Sequence, residues 1–452
     1  MNTLRIILLS MFFTALSASA AFSQYVLIPM DDSQTNHLKA YGLIYNHIGE
    51  GYEASWLLNY RGGSFMAREQ GDIVRSARLR NIRIEQISDS RANNIVAEVE
   101  SPASNTAVVP LQETPSIAVY SPSHALPWDD AVTLALTYAE VPYDIIYNDE
   151  ILAGDLENYD WLHLHHEDFT GQFGKFWAAY RNTPWYQRQV RDLEEMAASH
   201  GFDKVSDMKA AVALTIRDFV GSGGFMFAMC SATDTFDIAL AALEVDIVPT
   251  QFDGDPMDPD AQERLDFSQT LAFENFEVET DPAQYRHGNI DVPVRLGQLD
   301  ESLDFFTLFE FSAKWDPVPT MLTQNHVSSI KGFYGQSTAF RMETIKSNVV
   351  IMAKNSGREE AKYIHGNFGD GFWTFYGGHD PEDYTHRVGD PPTDLDLFPN
   401  SPGYRLILNN ILFPAAERQE LKTMRPDNFG PGHALYRAWA LQQTGVQQSE
   451  SE

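Results

Sequence analysis

Cysteine is almost absent from this sequence, which contains one cysteine, Cys230, among its 452 residues. A single cysteine cannot form a disulfide within the chain, so a hydrophobic core must stabilise the fold, with or without metal ions. Long apolar runs are also lacking beyond residue 20, since none reaches the roughly 18 to 20 residues that a membrane helix needs. We therefore expect no membrane span.

Basic residues are scarce relative to acidic ones. The 32 lysines and arginines face 63 aspartates and glutamates, which gives a formal net charge of −31. Nucleic acids and anionic membrane surfaces are poor partners for such a chain, because both are bound through basic patches. A salty habitat, cation binding and simple solubility all remain open as reasons for the acidic excess.

Residues 1–20 have the pattern of a secretory signal peptide. One positive charge, Arg5, precedes an apolar stretch at 6–16, and small residues at 18–20 form a cleavage site. No cysteine follows that site, so we expect no lipid anchor there. The pattern predicts a protein secreted across the inner membrane, periplasmic or extracellular, for which another envelope protein is a candidate partner.

The remaining pattern alternates short apolar strands with amphipathic helices, which predicts an α/β fold whose parallel sheet has helices on both faces. Strand and helix signals begin with a βαβ-like unit, and a Pro-, Ser- and Thr-rich stretch at 101–115 marks a boundary. The predicted divisions are an N-terminal α/β unit at 25–112, a main domain at 113–247 and 347–414, a loop-rich insertion at 248–346, and a polar tail at 415–452.

Cys230 lies at the junction of a predicted strand, 225–229, and a predicted helix, 234–243. The dipole of a helix N-terminus favours the thiolate form of such a cysteine. Small residues on both sides, Ala228 and Ala232, suit the sharp turn on which a nucleophile is exposed. The pattern indicates a nucleophile of low pKa, and the alternative is a buried cysteine that packs in the core.

A second strand, 372–376, delivers a histidine and two carboxylates. His379 follows this strand, with Asp380 and Glu382 close behind. A histidine beside a thiol can act as its base, and a carboxylate can hold the histidine tautomer. Because functional groups of a parallel sheet gather at the carboxyl ends of its strands, we expect Cys230 and His379 to face one pocket.

Three histidines end a further predicted strand, 161–165. The two-residue period places His163 and His165 on one face and His166 on the other. Imidazoles with Glu167 or Asp168 as oxygen ligands are typical of a zinc site. The alternative is a polar pocket in which these histidines only form hydrogen bonds. We expect His165 or His166 at the rim of the pocket that holds Cys230.

Acidic loops offer a second kind of metal site. Calcium prefers oxygen ligands on turn-rich loops, and the insertion begins with a loop that carries Asp253, Asp255, Asp258 and Asp260. The spacing is not that of an EF-hand, and a later loop carries Asp390, Asp394 and Asp396. Solvated turns are the alternative in both places. No nucleotide or organic cofactor is expected.

Aromatic residues are dense at 169–186, after the histidines. They suit a lid or a platform on which a sugar stacks, so a small molecule or a carbohydrate is a candidate ligand. Such residues also commonly pack on their own domain, and the sequence leaves both interpretations open.

Several of these motifs together resemble the class I glutamine amidotransferase-like fold. They are the strand Ile117-Ala-Val-Tyr, the Cys230 turn, the Gly378-His379 strand end and a helix at 404–413, and the similarity is greatest to the ThuA-like branch. The resemblance implies a flavodoxin-like sheet and covers about half of the chain. Two motifs depart from the family pattern: Ala-Met-Cys-Ser-Ala replaces Gly-x-Cys-x-Gly, and Glu382 lies one residue further from His379 than the family's glutamate.

Over nearly its full length the chain also resembles secreted Bacteroidota proteins labelled asparagine synthetase B. The resemblance is carried by segments such as Tyr25-Val-Leu-Ile-Pro-Met-Asp-Asp-Ser and Tyr376-Gly-Gly-His-Asp-Pro-Glu-Asp-Tyr. It implies a glutamine-dependent asparagine synthetase. The sequence lacks the N-terminal cysteine and the Ser-Gly-Gly-x-Asp loop of that chemistry, so its motifs do not support the label.

Two functional hypotheses follow from these observations. In the first, the protein is an extracytoplasmic hydrolase with Cys230 as nucleophile, His379 as base, and Glu382 or Asp380 as the orienting acid. In the second, it is a non-catalytic binding or assembly module of the cell envelope, stabilised by metal ions.

Overall fold

A computed structural model describes residues 24–122, 127–292, 301–355 and 357–412. The predicted signal peptide at 1–20 and the tail at 415–452 lie outside these ranges. The described part is a mixed α/β structure with two sheets. None of its helices combines the length and apolar character that crossing a bilayer requires.

The N-terminal unit is a five-stranded sheet with three helices. Its strand order is β4-β1-β3-β2-β5, and every neighbouring pair is antiparallel. The expected βαβ-like arrangement is corrected here, because β3 lies between β1 and β2. The elements are β1 (Tyr25–Ile28), α1 (His37–Gly49), β2 (Ala54–Leu58), β3 (Ser64–Arg68), α2 (Ile73–Leu79), β4 (Glu85–Ile87), α3 (Asp89–Val99) and β5 (Ala107–Leu111).

The second sheet has ten strands and spans the rest of the described chain. Its order is β11-β10-β13-β14-β15-β9-β8-β6-β7, with β12 paired to β14. The strands are β6 (Ile117–Tyr120), β7 (Asp144–Ile146), β8 (Trp161–Leu164), β9 (Phe225–Met229), β10 (Phe305–Leu308), β11 (Ser329–Lys331), β12 (Phe340–Arg341), β13 (Val350–Asn355), β14 (Glu360–Phe368) and β15 (Gly371–Tyr376).

Only one half of this sheet is parallel. β15, β9, β8, β6 and β7 pair in parallel, whereas β11, β10, β13, β14 and β15 pair antiparallel. The prediction of a parallel sheet is therefore corrected to a mixed one. The physical reason is the short connections between β13, β14 and β15, since a parallel pair needs a crossover of a dozen or more residues.

Helices connect the parallel strands. They are α4 (Ala131–Ala139), α5 (Asn148–Ala153), α6 (Trp177–Tyr180), α7 (Pro184–Ser199), α8 (Val205–Gly221) and α9 (Ser231–Ala241), followed by α10 (Thr250–Asp253), α11 (Pro317–Leu322) and α12 (Pro402–Leu408). Alternate residues of β9 belong to two apolar cores: Phe227 and Met229 pack in the core that includes α1, α4 and α12, and Met226 and Ala228 in the core that includes α8 and α9.

The predicted insertion is not a separate loop region. It supplies β10, β11 and β12, and β10 pairs with β13, so the insertion extends the large sheet. A loop at 334–338 then crosses the end of β15, where the main-chain amide of Gly378 donates to the carbonyl of Ser337 over 2.7 Å. The insertion thus borders the carboxyl ends of the parallel strands.

Candidate active site

Cys230 has an uncommon backbone conformation between β9 and α9. Its φ is 51° and its ψ is −137°, although it carries a side chain. Positive φ is uncommon for residues other than glycine, and backbone strain of this kind persists where the surrounding structure enforces it. Here the amide of Cys230 donates to the carbonyl of Tyr376 over 3.3 Å, and its carbonyl accepts from the amide of Thr233 over 3.1 Å.

The Cys230 thiol is buried, with 1% of the residue exposed. Burial raises its pKa to about 11, although the backbone amides of Ser337, Gln336 and Ser231 act in the opposite direction. The expectation of a low-pKa thiol is therefore corrected. The helix dipole favours a thiolate only modestly, and exclusion of water from the sulfur outweighs it.

Cys230 and His379 both line a cleft of about 390 Å³. His166 also lines this cleft, as does Trp128, whose ring stacks on Phe176 with centroids 5.0 Å apart. The aromatic run at 169–186 thus contributes walls to the cleft as well as contacts within the domain. The cleft combines a thiol, the three imidazoles of His166, His379 and His386, and flat apolar surfaces.

The insertion holds His379 in place. The amide of His379 donates to the carbonyl of Tyr334 over 2.8 Å. Gly335 permits this approach, because a Cβ atom there would lie 2.7 Å from the His379 nitrogen. Gly378 has a φ of 96°, a conformation that glycine adopts without strain.

Four histidine rings cluster beside the thiol. His379 stacks on His386 with ring centroids 4.0 Å apart, and it lies 4.4 Å from His165 and 5.8 Å from His166. Burial, followed by the neighbouring imidazoles, lowers the pKa values of His379 and His166 well below the usual range. Both rings are therefore neutral at pH 7.

Hydrogen bonds link three of these residues. Nε2 of His165 donates to the carbonyl of His379 over 3.0 Å, so this nitrogen carries a proton. Nδ1 of His165 lies 3.0 Å from Nδ1 of His166, so one of these two nitrogens donates to the other. The carbonyl of His166 in turn accepts from the hydroxyl of Ser231 over 3.0 Å, which ties this segment to the Cys230 turn.

The predicted acids take other roles. Asp380 accepts from the amide of Glu382 over 2.9 Å and from the hydroxyl of Thr393 over 2.7 Å, so it shapes the loop after His379. Burial raises the pKa of Glu382. Among the described residues, neither carboxylate hydrogen-bonds the His379 ring. The carboxylate beside that ring is Asp129, one of whose oxygens lies within 4.8 Å of nitrogens of His379 and His386.

Sequence reasoning assigned no site role to Asp129 or His386. Asp129 was visible only as an acidic residue at the start of a helix, and His386 as an isolated histidine in a loop. The Trp-Asp-Asp sequence at 128–130, in the connection from the carboxyl end of β6 to α4, is the signal that could have identified Asp129.

His163 lies apart from the histidine cluster. It is fully buried in β8, where its ring contacts those of Trp161 and Phe227, and burial lowers its pKa to about 3. The two-residue period does not bring His163 and His165 to one site, because His163 is covered by the core while His165 follows the strand end. None of the metal-capable groups in the described chain includes His163.

Glu167 and Asp168 both line a second cavity of about 240 Å³ but differ in their interactions. Burial raises the pKa of Glu167 to about 7. Asp168 is an anchor for the following loop, because its carboxylate accepts from the amides of Thr170 and Gly174 over 2.7 and 2.8 Å. His287 lies 3.5 Å from the same carboxylate.

A lysine from another segment lies among the carboxylates of the first acidic loop. The ammonium of Lys204 lies 2.5 Å from Asp246, 3.3 Å from Asp253 and 2.8 Å from Asp255. Asp258 and Asp260 belong to a different group, in which Arg264 approaches them to 2.7 and 3.4 Å. The four predicted calcium ligands therefore form two groups, each next to a basic side chain.

Comparisons with known proteins give only weak similarities. No protein-family model and no curated protein matches the sequence. Two cytoplasmic proteins of Salmonella typhimurium align over their whole length with 67% of this chain, at 10% and 12% identity and TM-scores of 0.33 and 0.31. A β-galactosidase from Bacillus circulans sp. alkalophilus aligns over 29% of its length with 59% of this chain, at 9% identity and a TM-score of 0.25. Similarity at this level does not bear on function.

Proposed function

We propose that this protein is an extracytoplasmic hydrolase of the class I glutamine amidotransferase-like type, with Cys230 as its nucleophile and His379 as its base. One observation carries the proposal: the only cysteine has a strained backbone conformation at a strand-to-helix turn and lines the same cleft as a neutral histidine. Strain of this kind clusters at active sites.

The proposed reaction begins with a neutral pair. Nδ1 of His379 is buried without a hydrogen-bond partner, and we assign Nε2 as the nitrogen that acts in the cleft. As the Cys230 sulfur attacks a carbonyl carbon, Nε2 takes the thiol proton and the carbonyl electron pair moves to its oxygen. The amides of Ser231, Gln336 and Ser337, which lie near the sulfur, are the candidate donors to this oxyanion.

The second half of the reaction restores the enzyme. Collapse of the tetrahedral intermediate expels the leaving group, which takes the proton from His379 and leaves a thioester on Cys230. Water then attacks the thioester with His379 as base, and the released sulfur recovers its proton. Asp129 is a better candidate than Asp380 or Glu382 for the orienting carboxylate, because one of its oxygens lies within 4.8 Å of a His379 ring nitrogen. The carboxylate of Asp380 accepts from Thr393, and that of Glu382 is hydrogen-bonded with Ser401.

The cleft suits a substrate with a flat apolar face. Trp128 and Phe176 form one wall, and Tyr285 adds a third ring 5.5 Å from Phe176. Esters and amides with such a face, including acylated carbohydrates, are the proposed substrate class, because the acyl group supplies the carbonyl carbon and its leaving group. Secretion, as the N-terminal pattern predicts, would place this chemistry outside the cytoplasm.

The test uses p-nitrophenyl acetate as a general acyl donor on the full mature chain. We expect release of p-nitrophenol and an acetyl adduct on Cys230, detected by mass spectrometry of the trapped protein. The Cys230→Ala variant should lose both signals, and His379→Gln should slow acylation by about 100-fold or more. His200→Gln is the control, because His200 is an exposed histidine paired with Asp149. Acylation unchanged in Cys230→Ala would overturn the proposal.

A second candidate is ligand binding without catalysis. It is favoured by the raised thiol pKa, since a thiol that stays protonated is a poor nucleophile unless a base assists it. Equal binding of a carbohydrate panel by the natural chain and Cys230→Ala, with no acylation of either, is the result that supports this function.

A further inference from the structure

The histidine cluster contains polar atoms that hydrogen bonding does not account for. Four side-chain atoms of this cluster are buried without a hydrogen-bond partner in the described structure: Nε2 of His166, Nδ1 of His379, Nε2 of His386 and Oδ1 of Asp129. Buried polar atoms are paired in the great majority of cases, so each exception requires an explanation. The last three belong to residues that lie close together, which points to a shared ligand.

The same three residues lie close enough together to share a metal ion once one of the two stacked imidazoles turns out of the stack. Their ligand atoms all lie within 4.8 Å of one another, and Nε2 of His386 is 3.2 Å from Oδ1 of Asp129 without hydrogen-bond geometry. Two imidazole nitrogens and one carboxylate oxygen are a common ligand set for zinc and related divalent ions, which keep further positions open.

Outer contacts orient two of these ligands. Nδ1 of His386 lies 3.1 Å from a carboxylate oxygen of Asp383, which leaves Nε2 of the ring directed at Asp129. The other carboxylate oxygen of Asp129 accepts from the amide of Thr393 over 3.2 Å. A carboxylate behind a ligating histidine and a hydrogen bond to a ligating carboxylate are the usual supports of a metal site.

The neighbouring group of His165, His166 and His379 is less suitable. Its atoms also lie within 4.8 Å of one another. Both nitrogens of His165 are engaged, however, one with the carbonyl of His379 and the other with His166. A metal ion there would have to break these hydrogen bonds, whereas one at His386 and Asp129 would break none.

We propose that Asp129, His379 and His386 bind a divalent transition-metal ion, for which Zn²⁺ is the experimental probe. This site differs from the zinc ligands that the sequence suggested, since it uses neither His163 nor Glu167. Calcium is disfavoured because two of the three ligands are nitrogen atoms.

Occupancy has a consequence that rests on the proposed hydrolase function. We assign Nδ1 of His379 as its ligand atom, because this nitrogen is buried without a hydrogen-bond partner. A metal ion there leaves the ring proton on Nε2, the nitrogen that would otherwise take the thiol proton from Cys230. The metal-bound form then has no base for its nucleophile. Zn²⁺ is therefore expected to bind the protein and to suppress acylation of Cys230.

The test measures binding first and acylation separately. The full mature chain is freed of metal with EDTA, dialysed and titrated with Zn²⁺ by calorimetry, and one ion per chain is expected. His386→Gln and Asp129→Asn should weaken binding by more than about 10-fold, and Asp383→Asn by about 10- to 100-fold as a positioning residue. His200→Gln should bind like the natural chain.

The two proposals fail in different ways. Equal Zn²⁺ affinity in His386→Gln, Asp129→Asn and the natural chain would overturn the metal site, whatever the acylation result. Binding is also measured on Cys230→Ala, which should retain the ion, so a loss of hydrolase activity alone cannot mimic a loss of metal. Acylation that continues unchanged in the zinc-bound protein would overturn the inhibitory role. Circular dichroism of each variant separates weak binding from failure to fold.

Discussion

Burial and the position at a helix start shift the pKa of the Cys230 thiol in opposite directions. The start of α9 and three nearby amides favour the thiolate, yet burial of the sulfur raises the pKa to about 11. For an acid, a raised pKa keeps the protonated form dominant up to that pH. A base such as His379 is therefore needed if the thiol is to react near neutrality.

The pH dependence of alkylation tests this balance. With EDTA present, the rate of Cys230 modification by iodoacetamide should rise up to about pH 11 in the native protein. In denaturant the same thiol should titrate near its ordinary value of about 8.5. The measurement is the alkylation rate of folded and unfolded chains across the pH range, by mass spectrometry. A native midpoint below the unfolded one would contradict the effect of burial.

At the scale of elements, a lysine at the start of α8 neutralises part of the negative charge of the acidic loop. Lys204 immediately precedes this helix, and its ammonium joins Asp246, Asp253 and Asp255. These carboxylates raise the pKa of Lys204, which therefore stays charged. Calcium binding at this loop stays a prediction. Because Lys204 would compete with calcium for the same carboxylates, the test compares the natural chain with a variant that lacks the lysine.

Replacing the lysine should expose the loop to external cations. Lys204→Met leaves three neighbouring carboxylates without their cation, and we expect a loss of about 1 kcal/mol in the free energy of unfolding. Calcium should then raise the melting temperature of the variant more than that of the natural chain, measured at fixed ionic strength. Equal shifts in both proteins would show that calcium does not compete with Lys204.

At the scale of the whole molecule, the insertion completes the site. The hydroxyl of Ser337 donates to Asp234 in α9 over 2.6 Å, and both residues are buried. The same loop receives Lys362 of β14, whose ammonium donates to the carbonyls of Phe333 and Thr338 over 2.7 and 2.8 Å. The insertion loop thus places its amides at Cys230 through contacts with two distant segments.

Removing the Ser337 hydroxyl should affect stability and reactivity together. Ser337→Ala leaves a buried oxygen of Asp234 without this donor, at a cost of about 1–3 kcal/mol in the free energy of unfolding. Acylation of Cys230 by p-nitrophenyl acetate should also slow, because the Gln336 and Ser337 amides lose their anchor. Ser222→Ala is the matched control, since its hydroxyl bonds only to the carbonyl of Asp218 within the same helix end. Destabilisation without slower acylation would leave the loop a purely structural role.

Local pattern was sufficient for many elements of the fold. The predicted strands 117–120 and 225–229 have the bounds of β6 and β9, and the predicted helix at 234–243 overlaps α9 (Ser231–Ala241). Apolar periodicity within a short window determines such elements, so the sequence alone contains them. The helices α5, α6 and α7 were not predicted. The antiparallel half of the large sheet was missed because strand direction depends on partners that local pattern does not specify.

The candidate site was likewise predictable from the sequence only in part. The sequence by itself determined that Cys230 lies at a strand-to-helix turn and that His379 follows a strand, since both depend on neighbouring residues. Only the tertiary structure brings Asp129 to His379 and His386, because its segment is distant in sequence from the loop that carries the two histidines and meets it through sheet order and loop packing. It alone also decides the burial that raises the thiol pKa, since burial is a property of the packed chain and not of any segment.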